Sequence, residues 1–433
     1  MFIRMSSKTL YRPTCIPEVI HLPASKSISN RALIISALAQ RNTYSSLEND
    51  CRLENISDCD DSRVVVRALA QCKGRVVEDK EPLVVDIMAA GTAMRFLTAY
   101  FSVSEGTYIL TGTERMRHRP ISILVDALRS MGANIKYECE EGFPPLRIQG
   151  GILRGGEVSV SGQVSSQYVS ALMMIAPVMR DGLTLRLEGD IVSRPYIDMT
   201  MSLMRAFGAD VEWADERTIR VFPKPYRPTS YGVESDWSAA SYWYELVALA
   251  GGEMFMPRLY RDSVQGDSRV REFFESLGVK TEFTAGGAKI YKERGRCGRN
   301  EQEPLVLNLV EQPDLAQTLV CTCAFMGKAF YFTGLQSLKI KETDRIKALR
   351  TELHKLGYNI EEKDDSVLFW NPMKDIARKD FEETVAIDTY DDHRMAMSFA
   401  FACVPFGKIT INNPEVVSKS YPTFWAEFPQ NEK

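Results

Sequence analysis

The sequence predicts an α/β protein of two similar domains, each built from three repeated units. Three observations support this fold class. With 433 residues, the chain is too long for one ordinary core. Two kinds of segment alternate along it in six copies of about 60 to 80 residues. Such repeats can also stack as a solenoid, but two groups of three suit the length better, and the proline-rich stretch 223–230 between the third and fourth copies suggests a linker.

The first kind of segment begins with small or polar residues, continues as an apolar helix and ends in a short β-rich run. In two copies the turn and strand are explicit, at Asp181–Leu187 and Phe406–Ile411. The six copies begin near Ser29, Gly91, Ser165, Asp236, Pro313 and Asp391.

The second kind of segment is an amphipathic helix closed by a glycine and followed by a strand, as in Val125–Ile135. Apolar residues recur at helical spacing, and glycine stands where a helix commonly ends in a left-handed residue. Further copies end at Gly74, Gly208, Gly278 and Gly357, and the last, around 423–428, stops without its glycine.

Composition excludes several classes of protein. The formal charge is −4 and the pI about 5.8, so an overall basic footprint for nucleic acid is absent. No apolar run approaches the roughly 20 residues that span a bilayer. Residues 1–8 lack the apolar core of a secretory signal. The nine cysteines are an odd number without a disulfide or zinc spacing, so we expect reduced thiols in a cytoplasmic protein.

Polar and cationic residues recur at equivalent places in the repeats. In the first kind of segment they stand at predicted helix N-termini, as in Ser25–Arg31, Ala90–Arg95, Ser165–Gln167 and Asp391–Arg394. Free N–H groups and the helix dipole favour anions there. An acidic chain with cations at repeated loop ends is typical of a protein that binds a strongly anionic small ligand. The second kind of segment has cations in the loops before its helices: Arg115, Arg117, Arg119, Arg194, Lys339, Lys341, Arg345 and Lys419.

Each of these motifs has a structural alternative. A serine-rich helix start is commonly only an N-cap. Lys341–Arg345 has the spacing of ion pairs on a helix surface, and a lone histidine such as His393 is more often structural than catalytic. Recurrence in register across six repeats favours binding over these alternatives.

No metal or nucleotide motif is present in the sequence. The four histidines lack ligand spacing, and neither a Walker A sequence nor a GxGxxG after a predicted strand occurs. From the residues alone, the chain is a two-domain anion-binding α/β protein with acid–base groups nearby.

Six segments together resemble one family, the 3-phosphoshikimate 1-carboxyvinyltransferases (EPSP synthases). They occur in the family's order and span nearly the whole chain. The resemblance implies two domains of three βαβαββ-type units, an inside-out α/β barrel arrangement, at 24–234 and at 1–23 with 235–433. The segments are Leu22–Arg31, Ala90–Arg95, Arg119–Ile121, Val164–Gln167, Lys341–Arg345 and Asp392–Met397.

The resemblance also implies two substrates, phosphoenolpyruvate and shikimate 3-phosphate, with domain closure around them and no metal or organic cofactor. By this resemblance, the residues expected to contact phosphoenolpyruvate are Lys26, Gly91, Arg119, Gln167, Arg345, Arg394 and Lys419. The residues expected to contact shikimate 3-phosphate are Lys26, Ser27, Arg31, Ser165, Ser166, Gln167, Ser193, Tyr196, Asp314, Ser337 and Lys341.

The catalytic roles follow from the same resemblance. Asp314, helped by Lys341, corresponds to the acceptor of the proton from the 5-hydroxyl, and Glu342 to the donor of a proton to the methylene carbon. Lys26 and His393 complete the catalytic set, and we expect a monomer without nucleic-acid or membrane partners.

The chain departs from the family pattern at four places. Ala89 and Ser337 stand where asparagine is usual, Phe96 stands where proline is common, and the segment between Gly74 and Ala89 is short. Three alternatives stay open: a sister transferase acting on UDP-N-acetylglucosamine, a non-catalytic anion binder on the same scaffold, and a nucleic-acid protein. The Lys26-Ser27 pair and the absence of a matching cysteine loop disfavour the first, the presence of Asp314 and Glu342 the second, and the acidic balance the third.

Overall fold

The computed structural model describes residues 6–41, 52–73, 81–163, 165–293, 303–374 and 384–429. The chain divides into two compact units. The inserted unit is Ala24–Val233, and the terminal unit combines Met1–Pro23 with Glu234–Lys433. The second crossing therefore follows Val233, one residue before the expected position.

Strands and helices are numbered along the described part of the chain. The strands are β1 (Ser7–Tyr11), β2 (Leu53–Glu54), β3 (Leu83–Asp86), β4 (Gly106–Thr111), β5 (Asn134–Tyr137), β6 (Leu146–Gly150), β7 (Gly156–Ser161), β8 (Leu183–Glu188), β9 (Val211–Trp213), β10 (Thr218–Val221), β11 (Tyr231–Gly232), β12 (Glu253–Pro257), β13 (Val279–Thr284), β14 (Gly287–Lys292), β15 (Leu305–Asn308), β16 (Phe330–Thr333), β17 (Glu361–Lys363), β18 (Val367–Trp370), β19 (Ala386–Ile387) and β20 (Lys408–Asn412). The helices are α1 (Lys26–Gln40), α2 (Asp60–Lys73), α3 (Gly91–Ser102), α4 (Glu114–Arg117), α5 (Ser122–Ser130), α6 (Ser166–Ile175), α7 (Arg194–Ala206), α8 (Trp237–Ala250), α9 (Val270–Glu275), α10 (Ala316–Met326), α11 (Arg345–Lys355), α12 (His393–Ala400), α13 (Cys403–Phe406) and α14 (Phe424–Glu427).

The sheets repeat one pattern, as the six sequence repeats predict. In the inserted unit, β3-β4-β6-β5 and β7-β8-β10-β9 each combine one parallel pair with two antiparallel pairs. The terminal unit has the same order in β15-β16-β18-β17. The strands predicted after Gly182 and Gly407 are β8 and β20.

The remaining sheets are smaller variants of the same unit. The inserted unit is completed by the parallel pair β11-β2, and the terminal unit by β12-β14-β13 and β1-β20-β19. In the last of these, β1 from the start of the chain pairs antiparallel with β20 near its end, so that Ser7 faces Asn412 and Tyr11 faces Lys408. The terminal unit is therefore closed by residues from both ends of its sequence.

Three central helices pack on one another in each unit: α1, α3 and α6 in the inserted unit, and α8, α10 and α12 in the terminal unit. These helices are buried nearly all round, and α12 is buried along its whole length. A helix that is apolar on every face is stable only inside a core, and each fully buried Leu, Phe or Met side chain there contributes about 1.5–3 kcal/mol. Sheets around buried helices give the predicted barrel-like α/β arrangement.

The second kind of segment also has the predicted helix ending. Helices α5, α7, α9 and α11 are followed by Gly132, Gly208, Gly278 and Gly357, all with φ between 83° and 98°. Such a φ is open to glycine and strained for other residues. Gly74 lies outside the described residues.

The proposed linker at 223–230 does not behave as one. This stretch packs on the inserted unit, where Tyr226 is buried and its hydroxyl donates to the carbonyl of Met174 at 2.8 Å. The Arg227 N–H likewise donates to the Phe207 carbonyl at 2.8 Å. Prolines indicate an irregular backbone, but they do not tell whether that backbone is packed. Across the part of the chain that the structure describes, no helix is both long and apolar enough to cross a membrane.

Candidate active site

Several of the expected site residues lie at or just before the N-termini of the central helices. In the inserted unit, α1, α3 and α6 begin at Lys26, Gly91 and Ser166. In the terminal unit, Asp314 lies in the 3-10 helix Pro313–Leu315 that leads directly into α10, and His393 opens α12. N-terminal N–H groups favour anions at each of these positions.

The first turn of α1 contains a capped serine and an ion pair. Ser25 is the N-cap and accepts from the Ile28 N–H, so the N-cap alternative is correct for this hydroxyl. The ammonium of Lys26 lies 3.6 Å from the Asp61 carboxylate and remains partly exposed. No sequence pattern connects Asp61 with Lys26, because the two residues come together through the packing of α1 on α2.

Arg31 is a buried cation whose hydrogen-bond partners are neutral. Its side chain donates to Thr200 Oγ1 at 2.7 Å, to the Ser27 carbonyl at 2.9 Å and to Ser170 Oγ at 3.0 Å. Within the described ranges no carboxylate forms an ion pair with it, although the residue is only 2% exposed. Burial lowers the pKa of Arg31 to about 10. An unneutralised buried guanidinium is suited to an anionic ligand.

Two of the sequence departures lie close to this site. The ring of Phe96 lies 5.3 Å from the Arg31 guanidinium carbon and is fully buried. The aromatic ring therefore supports the arginine, since a cation over a ring face is attracted to it. Ala89 is exposed just before α3, whose N-cap residue Ala90 has no side chain able to cap the helix.

Gly91 leaves room for two arginines at the start of α3. A Cβ atom at this position would overlap the Arg119 guanidinium and lie 2.8 Å from Nη1 of Arg95. Arg95 donates to the Gly91 carbonyl at 2.8 Å. Tyr168 fixes the chain just beyond Arg119, because its hydroxyl donates to the Pro120 carbonyl at 2.7 Å. The absence of a side chain at Gly91 thus lets guanidinium groups lie against an uncapped helix start.

The start of α6 presents neutral donors. Ser165 caps the helix by accepting from the Gln167 N–H at 3.4 Å, while Ser166 is buried behind it. The Gln167 side chain donates to Thr92 Oγ1 at 3.1 Å, which ties α6 to α3. These contacts hold the amide of Gln167 beside the Gly91 helix start. Val164, in the same sequence motif, lies outside the described residues.

Ser193 and Tyr196 lie at the start of α7. Ser193 is the N-cap residue with φ 56° and makes no capping hydrogen bond with its own side chain. A non-glycine residue in the left-handed region is uncommon and is often found at functional sites. The Tyr196 ring lies 5.8 Å from the Arg31 guanidinium carbon, which places both residues near the buried cation.

In the terminal unit, one carboxylate is surrounded by three cations. Asp314 contacts Arg394 Nη2 at 2.8 Å, Arg345 Nη1 at 3.1 Å and Lys341 Nζ at 3.6 Å. Burial disfavours the charged form of Asp314, but the charges of Arg394, Lys341 and Arg345 hold the pKa of this carboxyl well below its usual range. Asp314 is therefore ionised in the unliganded unit.

A second carboxylate, Glu342, lies in the same network. It contacts Arg345 Nη2 at 2.8 Å and Lys419 Nζ at 3.0 Å. Arg345 is held from its other side by Asp392, whose carboxylate accepts from Nε at 2.7 Å. We call this network the Asp314 cluster; its members are Asp314, Lys341, Glu342, Arg345, Asp392, Arg394 and Lys419.

The cluster corrects the view of Lys341–Arg345 as an exposed helix face. Helix α11 begins only at Arg345, with Asp344 as its cap, so Lys341 and Glu342 precede the helix. Arg345 is 1% exposed, and buried ion pairs of this kind need several partners to offset desolvation. The Asp314 cluster contains four cations and three carboxylates. The net positive charge makes it suited to binding an anion.

His393 and Ser337 have less direct positions. His393 is buried with Nδ1 3.8 Å from the Asp392 carboxylate, and Ser337 lies on the 3-10 helix Gln336–Ile340 immediately before Lys341. Some expected cations have structural partners instead. Lys339 contacts Glu362 at 2.9 Å and also Asp365. Arg194 stacks 4.1 Å from the Trp213 ring centre.

Sequence reasoning missed the acids that organise the cations. The sequence motif Asp392–Met397 indicates no separate role for Asp392, yet this residue binds Arg345 and caps α12 by accepting from the Arg394 N–H at 2.9 Å. Its place directly before His393 at a helix start was the available signal. Among the described residues no group of three or more His, Cys, Asp or Glu is arranged to hold a metal ion.

Two three-repeat units with cationic helix starts define the enolpyruvyl transferase class of fold. Two solved structures have the same fold: EPSP synthase from Acinetobacter baumannii (TM-score 0.75, 22% identity, 98% of this chain and 97% of that chain) and the enolpyruvyl transferase NikO from Streptomyces tendae (TM-score 0.70, 14% identity, 97% and 95%). The family model described as EPSP synthase (3-phosphoshikimate 1-carboxyvinyltransferase) matches residues 12–428. The chain belongs to this family.

Curated relatives extend the match over almost the whole chain. A 3-phosphoshikimate 1-carboxyvinyltransferase of Bacteroides fragilis is 52% identical over 417 residues, covering 96% of this chain and 95% of the relative. One from Vibrio cholerae is 37% identical over 445 residues, covering 98% and 99%. The sequence-based assignment to the family is confirmed.

Proposed function

We infer that this chain transfers the carboxyvinyl group of phosphoenolpyruvate to the 5-hydroxyl of shikimate 3-phosphate and releases phosphate. Membership of the family supports this reaction, as does a relative at 52% identity that bears the name of the enzyme. The observation that carries the assignment of roles is the Asp314 cluster. It combines an ionised carboxylate, a second carboxylate and an excess of cations in one unit.

The addition step needs one proton acceptor and one proton donor. The 5-oxygen attacks C2 of phosphoenolpyruvate, and its proton passes to Asp314, with Lys341 3.6 Å away to stabilise the developing charge. Glu342, in its protonated form, gives a proton to the methylene carbon. A tetrahedral intermediate with a methyl group results, and each proton transfer of this kind typically contributes about 10²–10⁴-fold to the rate.

The elimination step reverses the proton movement at carbon. The methyl group loses a proton to the Glu342 carboxylate, the bond from C2 to the phosphate oxygen breaks, and phosphate leaves with the proton that Asp314 took from the 5-hydroxyl. The ammonium of Lys419 lies 3.0 Å from Glu342 and is placed to stabilise the carboxylate that forms between the two proton transfers. Lys26 and His393 are proposed to assist as further catalytic residues.

Substrate binding is assigned by charge. Each substrate carries a phosphate and a carboxylate, and Arg31, a buried guanidinium with neutral neighbours, suits a carboxylate of shikimate 3-phosphate. The proposed contacts of phosphoenolpyruvate are Lys26, Gly91, Arg119, Gln167, Arg345, Arg394 and Lys419. Those of shikimate 3-phosphate are Lys26, Ser27, Arg31, Ser165, Ser166, Gln167, Ser193, Tyr196, Asp314, Ser337 and Lys341.

The test is phosphate release from purified protein with both substrates, with each substrate omitted in turn and with UDP-N-acetylglucosamine as a decoy acceptor. We expect release only with both natural substrates, and a fall in kcat of about 10²–10⁴-fold in Asp314→Asn and in Glu342→Gln. Binding of shikimate 3-phosphate, measured by calorimetry, should persist in Glu342→Gln. Folded protein that binds shikimate 3-phosphate but releases no phosphate would contradict the enzymatic assignment.

We further propose that the chain acts as a cytoplasmic monomer on small molecules, without nucleic-acid partners. A pI of about 5.8 supports the last point, since nucleic-acid proteins commonly have a basic surface. The cysteines in the described ranges are free thiols, in keeping with a reducing compartment. Sedimentation at several protein concentrations tests the monomer, and a concentration-dependent increase in mass would contradict it.

A further inference from the structure

Asp267 is a buried acid that none of the assigned roles uses. It lies in the 3-10 helix Gly266–Arg269 of the terminal unit and is 3% exposed. The Ser238 hydroxyl donates to its Oδ2 atom, while Oδ1 has no hydrogen-bond partner among the described residues. The neighbouring Gln265 accepts from the Trp237 N–H at 3.0 Å, so the segment is fixed on the first turn of α8.

The start of α8 differs from those of the other central helices. None of the substrate contacts lies there, and its N–H groups are satisfied by the chain itself: Asp236 accepts from the Ala239 N–H at 3.0 Å, and Gln265 from that of Trp237. In this repeat, the Asp236 carboxylate and the Gln265 amide oxygen accept from the N–H groups of the first turn.

Asp267 and the Asp314 cluster border the same two turns of α8. Tyr242 lies one turn beyond Ser238 and accepts from Arg394 Nη1 at 3.4 Å. Arg394 in turn contacts Asp314 at 2.8 Å, and the 3-10 helices that contain Asp267 and Asp314 both pack on α8. Arg394 therefore connects Asp314 to the part of α8 on which the Asp267 segment also packs.

The pKa of Asp267 is influenced by charged and polar groups from the elements packed around it. Burial is the largest influence and, with the negative charges of Asp314 and Asp236, raises the pKa of Asp267 to about 7. Arg394 and the Ser238 hydrogen bond act in the opposite direction. Asp267 therefore changes charge near neutral pH, while Asp314 is already ionised.

We propose that Asp267 is a positioning residue that, when ionised, shares Arg394 with Asp314 and makes Asp314 a stronger base for the proton of the acceptor hydroxyl. This inference rests on the proposed function. In the cluster, three cations stabilise the Asp314 anion so strongly that it is a poor proton acceptor. A negative charge on Asp267, which interacts with the charges of both Arg394 and Asp314, offsets the excess cation and raises the proton affinity of Asp314.

The test is the pH dependence of kcat, from phosphate release at saturating substrates, in four proteins: wild type, Asp267→Asn, Ser238→Ala and Asp262→Asn. In the wild type we expect kcat to rise through about pH 7 as Asp267 ionises, on the order of tenfold, the effect of one pKa unit on Asp314. Asp267→Asn should lack this inflection and stay near the low-pH rate, with KM values within about twofold of wild type.

Ser238→Ala gives an independent result, because it removes a hydrogen bond that favours the ionised form of Asp267. Its inflection should move to higher pH, with the same plateau above it. Asp262 is an exposed acid of the same loop, and Asp262→Asn should keep the wild-type profile. Substrate ionisations are the same in all four proteins and cancel in the comparison.

The outcomes separate the two levels of the proposal. Normal turnover with the wild-type inflection in both Asp267→Asn and Ser238→Ala would overturn the role of Asp267 alone. If Asp267→Asn does not fold, Ser238→Ala decides, and an unshifted inflection overturns the role. Absence of phosphate release from the wild type would overturn the proposed function itself.

Discussion

Gly91 shows how the absence of a side chain can determine the position of a cation. A Cβ atom would overlap the Arg119 guanidinium, which must then move because the helix backbone cannot. We expect Gly91→Ala to raise the KM for phosphoenolpyruvate about tenfold, as expected for weakening one hydrogen bond between charged groups worth about 1.5–3 kcal/mol. Steady-state kinetics measures this.

A double-mutant cycle identifies the cause. If Gly91→Ala raises KM by displacing Arg119, the double variant should have nearly the same KM for phosphoenolpyruvate as Arg119→Ala alone. Additive effects would instead mean that the new methyl group blocks the substrate directly. Gly232→Ala, where an added Cβ meets nothing within 4 Å, serves as the matched control and should leave KM unchanged.

The ionisation of Asp267 should also be visible in stability. Its folded pKa of about 7 exceeds the unfolded value of about 3.9, so the folded protein binds this proton more tightly and loses the associated stability as pH rises through 7. Asp267→Asn removes the dependence. Relative to wild type, its free energy of unfolding should therefore increase by about 2–3 kcal/mol between pH 5 and pH 8.

Urea unfolding at both pH values measures that difference. Asp267→Asn also changes the free energy of unfolding by an amount that does not depend on pH, for example through a hydrogen bond that the amide cannot make. This amount cancels when the values at the two pH values are subtracted. Asp262→Asn should show no such change, because the acid it replaces is exposed. A difference that is the same at pH 5 and pH 8 would mean that Asp267 titrates as an ordinary aspartate.

At the scale of elements, the glycines after the amphipathic helices allow a matched comparison. Gly132 has φ 98°, whereas Gly151 has no such left-handed backbone, and a Cβ would meet nothing within 4 Å at either position. We expect Gly132→Ala to lower the free energy of unfolding by about 1–2 kcal/mol because of backbone strain. Gly151→Ala should be neutral or slightly stabilising. Equal effects on urea unfolding would contradict the role of φ.

Helix starts and ends could be predicted because their signals are local. Gly208 and Gly357 follow apolar residues at helical spacing, Gly91 opens a buried helix and Ser165 precedes one, so a few adjacent residues contain the information. The six-fold recurrence then gave the fold class. Recurrence did not distinguish binding residues from structural ones, since Ser25 caps α1 and Lys339 pairs with Glu362.

The contacts within the cluster could not be predicted in the same way. Arg345 meets Asp392 although 46 residues separate them in the chain, because α11 and α12 pack together. The interaction of Asp267 with the Asp314 cluster likewise depends on where the segment after β12 packs on α8. The packed stretch 223–230 failed as a linker prediction for the same reason: burial of Tyr226 depends on tertiary structure, not on composition.

At the scale of the whole molecule, the inserted unit should fold alone. Its sheets are all formed within Ala24–Val233, and β11 near its end pairs with β2 near its start. We expect the fragment 24–233 to unfold cooperatively in urea, followed by far-UV circular dichroism. The fragment 234–433 lacks β1 and should fold poorly, and joining residues 1–23 to it through a flexible linker should restore cooperative unfolding. A cooperative transition in 234–433 alone would show that β1 is dispensable.

The pairing of β1 with β20 has a consequence for protein synthesis. Tyr11 leaves the ribosome long before Lys408, its partner, has been translated. At roughly 5–20 residues per second, an interval of about 400 residues lasts on the order of 20–80 s. During that time the nascent chain exposes one edge strand without its neighbour, while the inserted unit has all the residues it needs. Trigger-factor-like holdases would therefore be expected to stay on the emerging N-terminal segment after the middle of the polypeptide has become protease-resistant.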